Sequence, residues 1–231
     1  MVETFDKDKI YHNEIINPPI TNEIVKYKKF SLLNNSRLLN LINICKNLKF
    51  KRGIALECGV ANGGSLQIIR NYLDSSIIVY GLDSFSNMPP LTEKDENDIR
   101  ALPWVNKVMG NEKKCLLGFL ENKVSIKNLK IIKGFFSNTI PKNINNFNNI
   151  VLLRLDADWY EATYYLLDNL YNKVVKGGVI IIDDFYAYIG CRKAVVDFFN
   201  TRKLKLPYIY HTKEDGLTTL TGGTEVFWYK D

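Results

Sequence analysis

The chain has 231 residues, of which 46% are hydrophobic and 24% are charged, and its formal net charge is +6. These proportions are typical of a globular protein and exclude a disordered or fibrous chain, while the length argues against a second full domain. The positive charge does not predict nucleic-acid binding, because the basic residues are spread along the chain and form no cluster.

The start of the chain lacks the features of a secretory signal. Glu3, Asp6 and Asp8 interrupt the first ten residues, where such a signal has a basic segment followed by an apolar one. No run approaches the roughly 18 consecutive apolar residues of a membrane-spanning helix. The four cysteines form no C-x-x-C pair, so no zinc or redox motif is indicated. We therefore expect a cytoplasmic protein without a membrane or nucleic-acid partner.

Helical and strand patterns follow one another along the chain. Residues 1–50 carry no recognisable motif, but residues 36–48 have apolar positions at helical spacing, which predicts an N-terminal helical extension. Five short apolar runs follow, each ending at a turn residue or an aspartate and separated from the next by a helical or polar segment. We predict strands at residues 53–58, 77–82, 129–133, 150–155 and 179–182.

The strand pattern predicts the fold class. Apolar runs without alternation are typical of parallel strands that helices bury on both faces. After a predicted helix near residues 193–201, residues 207–211 and 224–229 flank Gly222 and Gly223, which predicts an antiparallel hairpin at the sheet edge. The sequence therefore predicts one α/β domain over residues 51–231.

Residues 86–124 form a long connection that is charged and contains three prolines, with one predicted helix near residues 113–120. Connections of this length inside compact domains are commonly functional covers. Because this one leaves the sheet directly after Asp83, we expect a lid over the active site. A surface insertion is the alternative.

A glycine-rich turn, residues 57–65 (ECGVANGGS), joins the first strand to the predicted helix at residues 65–73. Its small residues let the backbone approach a ligand at a helix N-terminus. Gly59 is followed by Val60, so the G-x-G of dinucleotide sites is missing and NAD is disfavoured. Asp83 ends the second strand, where a carboxylate accepts hydrogen bonds from ribose hydroxyls. Together they predict a nucleotide-cofactor site, and a structural turn with a surface aspartate is the alternative.

Aspartates follow the last two predicted strands: Asp156 and Asp158 follow one, Asp183 and Asp184 the other. Neighbouring strands lie roughly 5 Å apart, so these groups converge if the two strands are adjacent. Carboxylates that close repel unless one is protonated or a cation lies between them, and oxygen ligands suit Mg²⁺. We therefore predict a divalent-metal site, with helix capping as the alternative for each acid. Arg154 is a candidate for an ion pair with one of them.

These motifs together resemble the macrocin O-methyltransferase (TylF-like) family of class I S-adenosylmethionine-dependent enzymes. The likeness extends from about residue 50 to the end and rests on residues 55–65 (ALECGVANGGS), 81–85 (GLDSF) with Met88 and Pro89, 153–161 (LRLDADWYE) and 177–184 (GGVIIIDD). It implies a Rossmann-like α/β fold with a seven-stranded, mostly parallel sheet, an antiparallel C-terminal hairpin strand, helices on both faces and a helical lid.

The resemblance also implies roles for individual residues. Asp156, Asp183 and Asp184 match the metal ligands, and Asp158 matches the catalytic base. The residues expected to contact S-adenosylmethionine are Glu57, Gly59, Ala61, Gly63, Ser65, Asp83, Ser84, Gly134, Phe135, Phe136 and Ser137. The family's usual acceptors are sugar hydroxyls on natural products, so we expect a glycoside or activated sugar as substrate and Mg²⁺ or a similar ion as cofactor. A homo-oligomer is compatible with the sequence.

Methyl transfer from a sulfonium requires an acceptor oxygen that is positioned and at least partly deprotonated. Coordination to Mg²⁺ acidifies a hydroxyl, and Asp158 would then accept its proton. A catechol-type phenol methyltransferase would share this cofactor and metal and stays open. A nicotinamide-dependent oxidoreductase is disfavoured by the missing G-x-G, and a silent binding domain would leave the carboxylates without a purpose.

Overall fold

The computed structural model describes residues 14–16, 22–48, 51–96, 98–212 and 225–231. Within these ranges strands and helices alternate along most of the chain. In order they are β1 (Glu14–Ile16), α1 (Val25–Lys28), α2 (Asn35–Leu48), β2 (Ile54–Cys58), α3 (Gly64–Tyr72), β3 (Ile78–Asp83), α4 (Glu112–Glu121), β4 (Leu129–Lys133), α5 (Phe136–Asn143), β5 (Ile150–Leu155), α6 (Tyr160–Leu170), β6 (Val174–Ile182), α7 (Ile189–Thr201), β7 (Tyr210–Thr212) and β8 (Val226–Tyr229).

The strands form one sheet in the order β1-β7-β8-β6-β5-β2-β3-β4. Strands β2 to β6 are parallel, whereas β8 is antiparallel to both β6 and β7. The predicted α/β fold is confirmed, and its seven strands are β2 to β8. The predicted hairpin is formed by β7 and β8, although its Gly222 and Gly223 turn lies outside the described residues.

An eighth strand comes from the N-terminal extension, for which only a helix was predicted. β1 pairs in parallel with β7, so the hairpin expected at the sheet edge has one more strand beside it. Three residues are too few to form an alternating pattern, so no local signal predicts this strand.

Helices cover both faces of the sheet, because successive residues of each strand point to opposite sides and both sides are apolar. Helices α2, α3 and α4 pack on one face and α5, α6 and α7 on the other. The first core includes Leu41, Ile68, Phe119, Ala55 and Leu152, and the second includes Ile140, Leu166, Val195, Leu56 and Leu153. Helix α2, from the predicted extension, therefore belongs to the same core as the strands. Within the described ranges, no helix combines the length and apolar character needed to cross a membrane.

The parallel register brings the carboxyl ends of four strands to one level. Cys58 pairs with Leu82 and with Leu155, and Leu155 pairs with Ile182. The residues that follow these four, at the same edge of the sheet, are Gly59, Asp83, Asp156 and Asp183. The order of the strands thus assembles the predicted site residues from distant parts of the sequence.

The long connection after β3 has two parts. Its predicted helix is present as α4, but α4 packs beside α3 in the helical layer, with Cys115 and Phe119 buried. Residues 86–110, which we call the cover, contain two short 3-10 helices, Glu93–Asp95 and Leu102–Trp104. The cover is therefore mostly irregular, and its action as a lid stays a prediction.

Candidate active site

A cavity of about 410 Å³ opens at the carboxyl edge of the sheet, which lies in the size range of small-molecule sites, roughly 300–1,000 Å³. Its walls come from the segment before α2, the β2–α3 turn, the cover and the ends of β3 to β6. The predicted site residues that line it are Gly59, Ala61, Ser65, Asp83, Ser84, Gly134, Phe135, Phe136, Asp156, Asp158, Asp183 and Asp184. The structure thus brings most of the predicted cofactor and metal residues into one space.

Three residues predicted to contact the cofactor do not line this cavity. Glu57 is fully buried beneath the turn, where it hydrogen-bonds with Ser65. Gly63 precedes the first residue of α3 with φ +84°, and a Cβ there would lie 2.4 Å from the Sγ atom of Cys115. Ser137 is exposed on α5. Burial, close packing and exposure on a helix therefore account for these three positions, and the local sequence pattern does not distinguish them from residues that line the cavity.

Asp83 organises the β2–α3 turn. Its Oδ2 atom accepts hydrogen bonds from the backbone N–H groups of Val60 and Ala61, both at 2.8 Å, and its Oδ1 atom accepts one from Phe85 at 2.7 Å. Ala61 and Phe85 have φ of +49° and +48°, values that side chains other than asparagine or aspartate rarely adopt. Such backbone strain persists where surrounding contacts enforce it and is concentrated at ligand sites.

Three carboxylates meet on the floor of the cavity. Asp156, Asp158 and Asp184 each place one carboxylate oxygen within 4.8 Å of the others. Burial and the neighbouring Asp156 raise the pKa of Asp158 to about 7. Burial and the Asp183 carboxylate raise the pKa of both Asp156 and Asp184. Protons therefore bind these groups more tightly than they bind an ordinary aspartate, because the negative charges lie close together and are partly shielded from water.

Asp183 lies beside this group but faces two arginines. Its Oδ1 atom accepts a hydrogen bond from Arg154 Nη2, and its Oδ2 atom accepts one from Arg37 Nη1 at 2.6 Å. The predicted ligand set therefore differs in one member from the closest cluster, in which Asp158 takes the place of Asp183. Asp156 and Asp184 belong to both sets.

Arg154 connects the acids through a guanidinium that is fully buried. Its Nη1 atom donates to Glu57 Oε1 at 3.0 Å and to Asp156 Oδ2 at 2.9 Å. The register explains this contact, because Glu57 pairs with Arg154, and Asp156, two residues after Arg154 and directly after the end of β5, points to the same face of the sheet. The ion pair expected for Arg154 is thus present with several acids at once.

Negative charge exceeds positive charge in this buried region. Among the described residues, six carboxyl groups lie close to two guanidinium groups: Glu57, Asp156, Asp158, Asp183, Asp184 and Glu225 against Arg37 and Arg154. Burial also raises the pKa of Glu57 and that of Glu225, each to about 7. Buried charges without partners are costly, so this region requires bound protons or a cation.

Helix α2 supplies site residues that sequence reasoning missed. Arg37 lines the cavity, and Asn40 Nδ2 donates to Glu225 Oε1 at 2.8 Å and to Thr212 Oγ1 at 2.9 Å. One signal was present in the sequence, because Asn40 interrupts the apolar run of residues 38–42. A buried amide in such a run needs a polar partner.

Aromatic residues lie between the carboxylates and the cover. Tyr188 lines the cavity and packs edge-to-face on Trp159, with ring centroids 5.2 Å apart. Trp159 Nε1 donates a hydrogen bond to the carbonyl of Pro89 at 3.1 Å, which joins the cover to the loop after β5. Trp104 and Met109 of the cover also line the cavity.

Several known proteins resemble this chain in sequence. A family model described as macrocin-O-methyltransferase (TylF) matches residues 27–215. Demethyldecarbamoylnovobiocin O-methyltransferase of Streptomyces niveus is 30% identical over 153 residues, which are 63% of this chain and 58% of the relative. The 8-demethyl-8-(2,3-dimethoxy-alpha-L-rhamnosyl)-tetracenomycin-C 4'-O-methyltransferase of Streptomyces olivaceus is 29% identical over 191 residues, 76% of this chain and 65% of the relative. The chain therefore spans less than two thirds of the length of these two relatives.

Solved structures support the fold. The O-methyltransferase NovP superposes with a TM-score of 0.71 at 22% identity, over 87% of this chain and 82% of that chain. At this identity the likeness establishes the fold and not the chemistry. The family match begins at residue 27 and therefore includes α2 and Arg37, which the sequence motifs left outside.

Proposed function

Since this chain belongs to the macrocin O-methyltransferase (TylF) family, we propose that it transfers a methyl group from S-adenosylmethionine to a sugar hydroxyl of a small molecule, with help from a divalent ion. One observation carries the proposal: three carboxylates with oxygens within 4.8 Å of one another line the same cavity as the glycine-rich turn. That arrangement offers a site for a cation directly beside a site for a nucleotide cofactor.

The cofactor is proposed to lie against the β2–α3 turn and the ends of β3 and β4. Gly59 permits a close approach because it has φ +95° and no side chain. Asp83 uses its carboxylate for three backbone N–H groups and keeps acceptor capacity for a ribose hydroxyl. Phe135 lines the cavity with 46% of its surface exposed, and an adenine ring stacked there would cover it.

The residues present fit a hard divalent ion. Asp156, Asp158, Asp183 and Asp184 supply only oxygen ligands, as Mg²⁺ prefers. The excess of carboxyl groups over guanidinium groups in this region also favours the binding of a cation. Bound there, Mg²⁺ would make an adjacent hydroxyl more acidic and hold it in one direction. We propose Asp156, Asp183 and Asp184 as ligands, with Arg37 and Arg154 orienting Asp183.

Asp158 is proposed as the base that accepts the proton of the acceptor hydroxyl. Its carboxyl group lines the cavity, and its φ of +59° turns the chain sharply between β5 and α6. Its raised pKa, about 7, makes it a stronger base than an ordinary aspartate. Residues of the cover and Tyr188 line the same cavity, and we propose that they limit the access of water to the reacting atoms.

The sugar acceptor is proposed from the relatives. The Streptomyces olivaceus relative is named for methylation at a 4' position of a compound that carries a rhamnosyl group. Tyr188 supplies a hydroxyl group beside the carboxylates that can hydrogen-bond to a sugar.

A methyl-transfer assay tests this function. The purified chain is incubated with Mg²⁺, S-adenosylmethionine labelled in its methyl group, and either an aryl rhamnoside panel or catechol. We expect label in the rhamnoside and at least about 100-fold slower labelling in the same reaction with Asp158→Asn. Methylation of catechol alone would replace the sugar acceptor by a phenol. Stabilisation by NADH but not by S-adenosylhomocysteine in a thermal melt would contradict the transferase assignment altogether.

A further inference from the structure

The cover contains two acids that face away from the cavity. Asp95 is 2% exposed and Asp98 is 4% exposed, and neither lines the cavity. Aspartate is rarely buried to this degree unless its charge is paired. The hydrogen-bond donors of Asp95 and Asp98 therefore show which elements the cover is attached to.

Asp95 contacts the first turns of two helices. Its Oδ1 atom accepts a hydrogen bond from the backbone N–H of Tyr160, the first residue of α6, at 2.8 Å. Its Oδ2 atom accepts from the N–H of Thr92 at 2.8 Å and from the Thr92 hydroxyl at 3.0 Å. A Cβ on Gly190, in the first turn of α7, would lie 1.9 Å from Asp95 Oδ1. Asp95 is thus wedged between the starts of α6 and α7.

Asp98 caps the second of these helices. Its Oδ2 atom accepts from the N–H of Ile189, the first residue of α7, at 2.8 Å and from Arg100 Nη2 at 2.7 Å. Its Oδ1 atom accepts from Arg100 N at 3.1 Å and Nε at 2.9 Å. Burial opposes ionisation, but these hydrogen bonds outweigh it and lower the pKa of Asp98.

Neither helix provides this cap itself. The residues before α6 and α7 are Trp159 and Tyr188, and neither makes a side-chain capping hydrogen bond. The first N–H groups of a helix need acceptors and favour negative charge. Both requirements are met here by acids from a segment more than sixty positions earlier in the sequence.

Both capped helices directly follow the carboxylate loops. Asp158 lies two residues before Tyr160, and Asp184 lies five residues before Ile189. A backbone hydrogen bond to the neighbouring strand fixes the start of each loop. Asp156 N–H donates to the Cys58 carbonyl at 2.8 Å, and Asp183 N–H donates to the Leu155 carbonyl at 2.9 Å. We infer that Asp95 and Asp98 are positioning residues, which hold both carboxylate loops in place by fastening the cover to α6 and α7. The catalytic consequence rests on the proposed function, whereas the mechanical link does not.

Amide hydrogen exchange tests the mechanical link in protein without metal or cofactor. Asp95→Ala and Asp98→Ala are compared with the milder variant Asp95→Asn, which keeps one acceptor oxygen. Asp95→Asn still tests the inference if the alanine variants fail to fold. Asp197→Asn is the matched control, since its Oδ2 accepts from the Tyr160 hydroxyl at 3.0 Å and so links the same two helices through side chains, without accepting from the backbone N–H groups of their first turns. We expect faster exchange at residues 156–160 in Asp95→Ala and at residues 183–190 in Asp98→Ala, with a smaller effect in Asp95→Asn and none in the control. Faster exchange confined to residues 86–110 overturns the inference.

Ion binding tests the catalytic consequence. Removal of groups that orient metal ligands commonly weakens ion affinity by about 10- to 100-fold. We expect Asp95→Asn and Asp98→Asn to weaken Mn²⁺ binding at least about 10-fold. Binding of S-adenosylhomocysteine should be unchanged, because both acids hydrogen-bond within the cover and to the first residues of α6 and α7 and do not line the cavity. Unchanged Mn²⁺ affinity in both variants would overturn the positioning role. If the unmodified chain binds no Mn²⁺, the proposed metal site fails, and the exchange experiment still decides the mechanical link.

Discussion

Arg154 Nη2 donates a hydrogen bond to Asp183 Oδ1, which joins a guanidinium on β5 to the end of β6. The same guanidinium also donates a hydrogen bond to Asp156, which lies in the loop between β5 and α6. Its contact with Glu57 extends the connection to β2. One buried cation therefore ties together three adjacent strands at the level where the cavity opens.

Replacing Arg154 should destabilise the fold. Arg154→Met leaves the buried acids without their cation, and breaking a buried ion pair from one side costs about 3–5 kcal/mol. Urea denaturation of the variant measures this loss in the free energy of unfolding. Arg202→Met is the matched control, because Arg202 pairs with Asp168 at the surface and its loss should have no measurable effect. Equal stability of Arg154→Met and the control would show that protons, and not Arg154, balance the cluster.

Asp158 and Asp183 should separate into two roles. Asp158→Asn is expected to bind Mn²⁺ and S-adenosylhomocysteine as the unmodified chain does, while kcat falls by about 10²- to 10⁴-fold because the base is lost. Asp183→Asn is expected to weaken Mn²⁺ binding. Calorimetric titration of both variants, combined with turnover measurements, provides the comparison. Loss of Mn²⁺ binding only in Asp158→Asn would contradict this assignment. It would make Asp158 the third metal ligand in place of Asp183, as in the cluster with Asp156 and Asp184.

Glu225 should make the stability of the metal-free protein depend on pH. Burial raises its pKa from 4.5 to about 7 in the folded state, so the folded chain holds a proton that the unfolded chain releases as the pH rises from 4.5. The stabilisation is complete below pH 4.5 and is lost as the pH rises through 7, by roughly 3 kcal/mol at 1.36 kcal/mol per pKa unit.

Glu225→Gln removes this titration and keeps the oxygen that Asn40 and Thr212 bind. Urea denaturation at pH 5 and pH 8 in a chelating buffer should therefore show a smaller loss of stability in the variant than in the unmodified chain. Equal losses in the two proteins would mean that Glu225 does not bind a proton in this range.

Much of the fold was predictable because local patterns encode it. Strands β4 and β5 have the predicted bounds, since each apolar run is flanked by residues that break the pattern. Strand β6 begins at Val174, five residues before its predicted start. The prediction began too late because Lys176, Gly177 and Gly178 interrupt the apolar run. Pairing with neighbouring strands overrides the low strand preference of these residues.

The site was predictable only where residues follow strand ends. Asp83, Asp156 and Asp184 belong to such positions, and the parallel sheet brings them together. The contact between Arg37 and Asp183 spans 146 positions of the sequence, and Asp95 reaches Tyr160 across 65. No local periodicity records such contacts, because they arise from how helices and loops pack after the sheet has formed.

We propose that aspartates directly following β5 and β6 share one divalent ion. Mn²⁺ titration, followed by the electron paramagnetic resonance signal of the free ion, counts the sites in the unmodified chain, Asp156→Asn and Asp184→Asn. We expect one tight site per chain and its loss in each variant, because ligands that follow both strands are needed. Retention of that site at unchanged affinity in both variants would contradict it.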